Sequence, residues 1–233
     1  MAIPMFLALT AAEFQSCPAL PKQLGWMACH FSPYGTGLSN LPAFLPEGSM
    51  LILNDRIPLC RHDPERITGQ LRRTVEALGC SGVLLDFQRG GSAKTGELCA
   101  QLSASLPCPV VVSDLYAREL DCPVFLPPCP HHVPLADHLL PWKQRRIWLD
   151  LARNAETITL TKAGSQIHSL PLGESPDGGH ADRLLRCHYT IETGVESVRF
   201  TLWRTEEDLD ALAAEAEILG VETLVGLYCE LGM

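Results

Sequence analysis

The sequence has 233 residues, of which 46% are hydrophobic and 19% are charged, so it can bury the core of a large globular domain and is not a disordered chain. Its net charge is -9, and its 18 lysines and arginines are scattered along the chain, which leaves no basic stripe for nucleic acid or an anionic membrane. No apolar run is long enough for a membrane-spanning helix.

The ten cysteines and the first residues of the chain bear on the compartment. No cysteine belongs to a CxxC pair, and several lie in apolar runs, where a free thiol packs as a small hydrophobic side chain. The apolar segment 1–12 lacks the basic start and the small-residue cleavage site of a signal peptide, and we interpret it as a strand. The sequence therefore favours a cytoplasmic protein with reduced thiols, with export as the alternative.

Eight short apolar runs alternate with helical patterns along most of the chain. This alternation is typical of the strand-helix units of a parallel sheet, and eight such runs favour a closed barrel. The predicted strands are 5–10, 26–31, 50–54, 82–87, 110–113, 124–126, 147–151 and 223–228.

Helices are predicted between these runs. The clearest spans 206–219, because Thr205 can cap it, acidic residues load its first turn and Gly220 ends it. Two further helices are predicted over 64–78 and 94–106.

The pattern changes between residues 157 and 203, where apolar and polar residues alternate as in antiparallel strands. Turns are predicted at Gly164 and near Gly194. We interpret 157–203 as a small β-hairpin insertion between the seventh strand and its helix. The predicted fold is thus an α/β TIM barrel, (β/α)8, with the barrel formed by 1–156 and 204–233.

The fourth run, SGVLLDFQ, carries the main candidate site. Asp86 and Gln88 are two residues apart on one strand, so their side chains should point to the same side. Barrel enzymes place their sites at the carboxyl ends of the strands, which is where this pair falls. The alternative is a carboxylate that only caps the following loop.

With its neighbours, this stretch resembles the family 18 glycoside hydrolases, the chitinase-like barrels, and in particular the cortex-degrading branch of spore-forming bacteria. The fourth strand of that family carries an Asp-Gly-x-Asp-x-Asp-x-Glu type motif. Gly82 aligns with its Gly, Asp86 with its last Asp and Gln88 with its catalytic Glu. The segment VRFTLWRTEEDLDALAAEAEILGVETLVGLYCELG, residues 198–232, is similar to the closing strand, helix and last strand of the family.

The resemblance implies substrate-assisted chemistry, in which the acetamido group of the sugar attacks the anomeric carbon while an enzyme acid protonates the leaving oxygen. In that family the last Asp of the motif steadies the acetamido group. A glutamine amide has no transferable proton near neutral pH, and loss of an acid costs on the order of 10²–10⁴ in rate. The resemblance therefore implies a barrel that binds an N-acetylglucosamine-containing glycan or a peptidoglycan fragment and needs no cofactor. It also implies that hydrolysis is lost or strongly reduced, because Gln88 stands at the position of the acid.

Two other functions stay open at this point. One is an active hydrolase that uses another carboxylate at the mouth of the barrel, such as Asp55 or Asp114. The other is a non-catalytic scaffold or interaction barrel whose contact surface is the insertion.

Further polar residues follow the predicted strands and are candidates for binding a sugar. Each can instead be an ordinary loop or capping residue. They are His30, Tyr34, Asn54, Asp55, Asp114, Tyr116 and Tyr228. Residues of metal-binding type also occur at Cys122, Cys129, His131 and His132, but their spacing matches no common zinc site, and we do not expect a metal.

Overall fold

The computed structural model describes residues 3–33, 37–59, 63–171, 176 and 178–231. The strands are β1 (Met5–Leu9), β2 (Leu24–Phe31), β3 (Leu38–Ser39), β4 (Met50–Asn54), β5 (Gly82–Asp86), β6 (Val110–Ser113), β7 (Val124–Leu126), β8 (Ile147–Asp150), β9 (Ala155–Thr161), β10 (Gly164–Leu170), β11 (His180–Asp182), β12 (Cys187–Thr193), β13 (Ser197–Trp203) and β14 (Val221–Leu227). The helices are α1 (Ala11–Ser16), α2 (Pro64–Leu78), α3 (Ala93–Ser105), α4 (Asp114–Ala117), α5 (Leu135–Leu139), α6 (Glu206–Ile218) and α7 (Tyr228–Leu231).

Eight parallel strands form a closed barrel. Their order is β1-β14-β8-β7-β6-β5-β4-β2, and the pairing of β1 with β2 closes the ring. The short strand β3 pairs antiparallel with the end of β2. Each barrel strand lies on one of the eight predicted apolar runs, so the prediction of a TIM barrel is confirmed.

The interior of the barrel is apolar up to the carboxyl ends of its strands. Trp148 stacks on Phe6 inside the barrel, with ring centroids 5.8 Å apart. Successive side chains on a strand alternate between two faces. The next inward positions after this core are therefore Asn54 on β4, Asp86 on β5 and Asp150 on β8, and all three are polar. The buried residues of this interior cluster are Phe6, Ala8, Met50, Ile52, Leu84, Val111, Phe125 and Val225.

The predicted helices form between residues that cap them. The Asp63 carboxylate accepts a hydrogen bond from the first turn of α2, and Gly79 ends this helix in the left-handed conformation at φ 62°. Thr205 and Asp208 form a reciprocal capping box at the start of α6. None of the helices in the described ranges is both long and apolar enough to cross a membrane.

The chain divides into two compact units. The barrel strands belong to the unit that comprises 4–127, 142–150 and 221–233. The other unit includes 128–141 and 151–220 and contains a five-stranded antiparallel sheet of order β10-β9-β13-β12-β11. Both predicted hairpins are present in that sheet. Since this unit also includes α6, the insertion boundaries at 157 and 203 stay a prediction about which segment folds by itself.

Candidate functional site

A cleft of about 720 Å³ opens at the carboxyl ends of β1, β2, β4 and β5. Among the candidates from the sequence, the cleft brings together His30, Asn54, Asp55, Asp86 and Gln88. Its other polar lining residues are Thr10, Asn40, Arg56 and Arg89.

Asp86 and Gln88 lie together in this cleft. The Gln88 side-chain amide donates a hydrogen bond to the Asp86 carboxylate at 3.3 Å. Burial raises the pKa of Asp86, the bond from Gln88 opposes this change, and the nearby charge of Asp55 adds to it. Gln88 is exposed, so its amide combines a contact to Asp86 with access to a ligand.

Asp55 holds two loops together. Its two carboxylate oxygens accept hydrogen bonds from the backbone N–H groups of Gln88 at 3.1 Å and of Arg89 at 2.8 Å. Asp55 is buried, and each of its oxygens has a donor. It therefore anchors the loop after β5 to the loop after β4, which is the ordinary loop role that the sequence left open for it.

His30, Asn54 and Asp86 form a row across three neighbouring strands. The strand register pairs His30 with Asn54 and Asn54 with Asp86. The Asn54 amide donates to the carbonyl of Met27 at 2.8 Å. His30 Nδ1 lies 2.7 Å from the carbonyl of Phe31, and since a carbonyl only accepts, this nitrogen carries the proton.

The second ring nitrogen of His30 is therefore an acceptor when the imidazole is neutral. Asn40 Nδ2 lies 3.2 Å from His30 Nε2 and can donate to it. These bonds hold the polar row in place before any ligand binds.

The candidates Tyr116, Asp114 and Tyr228 are not among the residues that line this cleft. The Tyr116 hydroxyl donates to the carbonyl of Arg89, so this side chain supports the loop after β5 without facing the cleft. Asp114 begins α4, and Tyr228 begins α7. Tyr34 lies outside the described residues.

Asp150 is a carboxyl at the barrel mouth that the sequence prediction missed. It ends β8, on the same face as the core residue Trp148. Burial, together with the charges of Asp86 and Glu230, raises the pKa of Asp150 to about 8. Asp150 is therefore mainly protonated at neutral pH. The signal for it was an aspartate at the end of an apolar run, as for Asp86.

Arg56 and Arg89 on the border of the cleft were also missed. A guanidinium nitrogen of Arg89 donates to the carbonyl of Arg56 at 3.2 Å. Both side chains are exposed. Their positions depend on loop conformations that no local pattern in the sequence predicts.

The histidines and cysteines between β7 and β8 make protein contacts of their own. Glu156 Oε1 lies 3.2 Å from His131 Nδ1 and 3.7 Å from His132 Nδ1. The Cys129 thiol donates to the carbonyl of Val133 at 3.3 Å. Within the described ranges, no three His, Cys, Asp or Glu residues are grouped so that they could hold a metal ion.

The fold and the cleft define the chain as a (β/α)8 barrel with a polar site at the carboxyl ends of its strands. Among solved structures, the chitinase from Chromobacterium violaceum matches with a TM-score of 0.67 and 9% identity, over 100% of this chain and 95% of the other. The spore cortex-lytic enzyme SleL from Bacillus megaterium matches with a TM-score of 0.61 and 9% identity, over 99% of this chain and 71% of the other.

A third match is the class V chitinase from Nicotiana tobaccum, as a Glu-to-Gln mutant in complex with NAG4, with a TM-score of 0.62 and 11% identity over 97% of this chain and 93% of the other. No family model matches this chain, and no curated protein matches it. The predicted resemblance to the chitinase-like barrels is thereby confirmed at the level of the fold.

Proposed function

We propose that this protein is a glycoside hydrolase family 18-like barrel that binds an N-acetylated glycan in its cleft, with hydrolysis lost or strongly reduced. The observation that carries this proposal is the contact between Gln88 and Asp86 at the mouth of the barrel. The resemblance aligns Gln88 with the catalytic acid and Asp86 with the aspartate that steadies the acetamido group, and the hydrogen bond between the two side chains supports a shared role at one site.

The lining of the cleft suits a sugar. The Gln88 amide offers both N–H donors and an oxygen acceptor, which match hydroxyl and acetamido groups. Asn54 and His30 are held by bonds to the backbone, so little side-chain freedom is lost when a ligand binds.

One of the similar solved structures supports an N-acetylglucosamine oligomer as the ligand. The tobacco structure is a complex of NAG4 with a Glu-to-Gln mutant, so a barrel of this fold holds an N-acetylglucosamine oligomer after such a replacement. Gln88 is the naturally occurring residue in the present chain.

The proposal is tested by calorimetric titration of N-acetylglucosamine oligomers into the wild type, Asp86→Ala and Gln88→Ala. We expect dissociation constants in the millimolar range or tighter for the wild type and a loss of about tenfold for each variant, as for a hydrogen bond to a polar ligand group. Glu97→Ala is a matched control, since Glu97 is exposed on α3. Absence of binding across the oligomers overturns the proposal.

The second candidate function is an active hydrolase that uses another carboxyl at the mouth. Asp150 favours it, because its pKa of about 8 provides a transferable proton at neutral pH. Neither Asp150 nor Asp114 is among the residues that line the cleft, but Asp150 faces the barrel interior at the end of β8, whereas Asp114 begins α4. Asp55 is less suited because two backbone N–H groups already engage it. Turnover of an aryl N-acetylglucosaminide that disappears in Asp150→Asn would support this candidate, and no turnover by the wild type would remove it.

A further inference from the structure

The antiparallel sheet of β9 to β13 ends in two unequal edge strands. β11 forms one edge with three residues, and it stops at Asp182, whose carboxylate accepts the backbone N–H groups of Leu184 and Leu185. β10 forms the other edge with seven residues, and all seven pair with β9 without a register shift. In the described part of the chain, no strand pairs with the outer side of β10. This side of the sheet therefore presents a straight row of backbone donors and acceptors to solvent.

β10 lacks the features that usually keep an edge strand from pairing. Proteins protect such strands with charged side chains, above all lysine, with proline or with a bulge. The sequence of β10, GSQIHSL, contains no acidic residue, lysine, arginine or proline, and residues 164–169 are all exposed. An exposed edge of this length without protection is a site where another strand can add to the sheet.

An apolar row crosses the sheet and reaches this edge. The strand register places Ile167 on β10 opposite Ile158 on β9. Ile158 is in turn opposite Phe200 on β13, which is opposite Ile191 on β12. Side chains that are directly opposite on neighbouring strands lie on the same face. Ile167 is 54% exposed and Ile191 is 50% exposed, so the row is open to solvent at both of its ends, and a strand added at β10 would continue it beyond Ile167.

We propose that β10 joins two copies of this chain by pairing antiparallel with β10 of the second copy, about a two-fold axis beside Ile167. Every second residue of an edge strand turns its N–H and C=O groups outward. When β10 pairs with itself, two residues that face each other must both belong to this outward set or both lie outside it. The axis therefore passes beside a residue and not between two. At Ile167, the middle residue of β10, all seven residues find a partner.

The side chains of β10 suit a second copy of the same strand. In this register Ile167 faces Ile167, Gln166 faces His168, and Ser165 faces Ser169. Apolar side chains thus meet each other, and so do hydrogen-bonding side chains, which are the cross-strand pairs that stabilise a sheet. The chain has a net charge of -9, but β10 contains no acidic residue, so no two carboxylates of β10 meet across the pairing. The apolar row would run through both sheets without a break.

This inference concerns assembly and does not depend on the proposed glycan binding. Sedimentation velocity of the full chain over a wide range of protein concentration tests it. We expect the wild type to form a dimer whose fraction rises with concentration. Ile167→Lys should raise the dimer dissociation constant at least about tenfold, because two lysines would face each other at the axis. Ile218→Lys is the matched control and should leave the constant unchanged, since it makes the same substitution at an exposed position on α6.

A second pair of proteins tests the position of the axis. Ile167→Lys and Ile167→Glu should each be monomeric at concentrations where the wild type is dimeric. An equimolar mixture of the two should form a dimer, because opposite charges then face each other. Since Ile167 is exposed in the single chain, both variants should keep the fold, which circular dichroism checks.

Other results overturn the proposal. A wild type that stays monomeric at every concentration removes the second copy as the occupant of this edge. A dimer that Ile167→Lys does not weaken forms through another surface. Folded Ile167→Lys and Ile167→Glu that do not associate when mixed contradict a two-fold axis beside Ile167.

Discussion

Gln88 touches Asp86 through its side-chain amide, and a carboxylic acid at the same place would change what the pair can do. We expect Gln88→Glu to gain hydrolysis of N-acetylglucosamine oligomers, by on the order of 10²–10⁴ over the wild type, because general acid catalysis contributes a factor of that size. Asp86 would also raise the pKa of the new carboxyl group, as neighbouring carboxylates do. Product analysis by chromatography measures the gain.

Gln101→Glu on α3 is the matched control, since it adds the same group away from the cleft. Continued absence of hydrolysis in folded Gln88→Glu would show that the site has lost more than its acid.

The raised pKa of Asp150 leads to the prediction that the stability of the protein depends on pH. Its pKa of about 8 in the folded state lies above the value of about 3.9 in an unfolded chain. Between these values the folded state holds a proton that the unfolded state releases, so this group lowers the free energy of unfolding as the pH rises from about 4 to about 8. Below about pH 4 Asp150 is protonated in both the folded and the unfolded state, so it no longer makes the free energy of unfolding depend on pH.

Asp150→Asn should therefore be more stable than the wild type at pH 8, by on the order of a few kcal/mol, since one pKa unit corresponds to about 1.4 kcal/mol. The gain should shrink towards pH 4. Urea unfolding at several pH values measures it, with Asp210→Asn on the exposed side of α6 as the control. A variant that loses stability at pH 8 would contradict this account of Asp150.

At the scale of elements, the eight strands were predictable because each is a short apolar run with a defined end. Asp86 was found because the strand ends there and Gln88 follows on the same side. Asp150 was missed because the apolar residue Leu151 follows it. The predicted strand 147–151 therefore extends past Asp150, which places this aspartate inside the strand and not at its end. Asp150 lies on β8 and Asp86 on β5, with two strands between them in the sheet. The two side chains come near each other only when the sheet closes into a barrel.

The loops between the strands were less predictable than the strands. Asp55 bonds to backbone groups that are 33 and 34 residues away in the chain, and no local pattern encodes such a pair. The same connection places Arg56 beside Arg89. In the loop after β6, α4 begins at once, and Tyr116 turns to the carbonyl of Arg89 and not to the cleft.

The connection through Asp55 can be broken by one substitution. We expect Asp55→Ala to lower the free energy of unfolding by roughly 1–3 kcal/mol, because two backbone N–H groups lose their acceptor. Hydrogen exchange at the amides of Gln88 and Arg89 should accelerate. Asp114→Ala, which removes a carboxylate outside the cleft lining, should have the smaller effect, and equal effects would contradict the anchoring role of Asp55.

At the scale of the whole molecule, the fold survives at 9% and 11% identity to the chitinases of Chromobacterium violaceum and Nicotiana tobaccum. The barrel depends on the alternation of apolar residues in its strands more than on their identity. A catalytic function depends on particular side chains at the mouth, and it does not follow from the fold. The proposed function therefore depends on Asp86, Gln88 and the residues around them.

The most direct measurement is a crystal structure of the wild-type protein soaked with the N-acetylglucosamine tetramer. We expect the intact tetramer in the cleft, with an acetamido group at Asp86 and an oxygen of the sugar at the Gln88 amide. A tetramer bound elsewhere, or an empty cleft at saturating sugar, would contradict the proposed glycan binding. A cleaved product in the cleft would contradict the loss of hydrolysis.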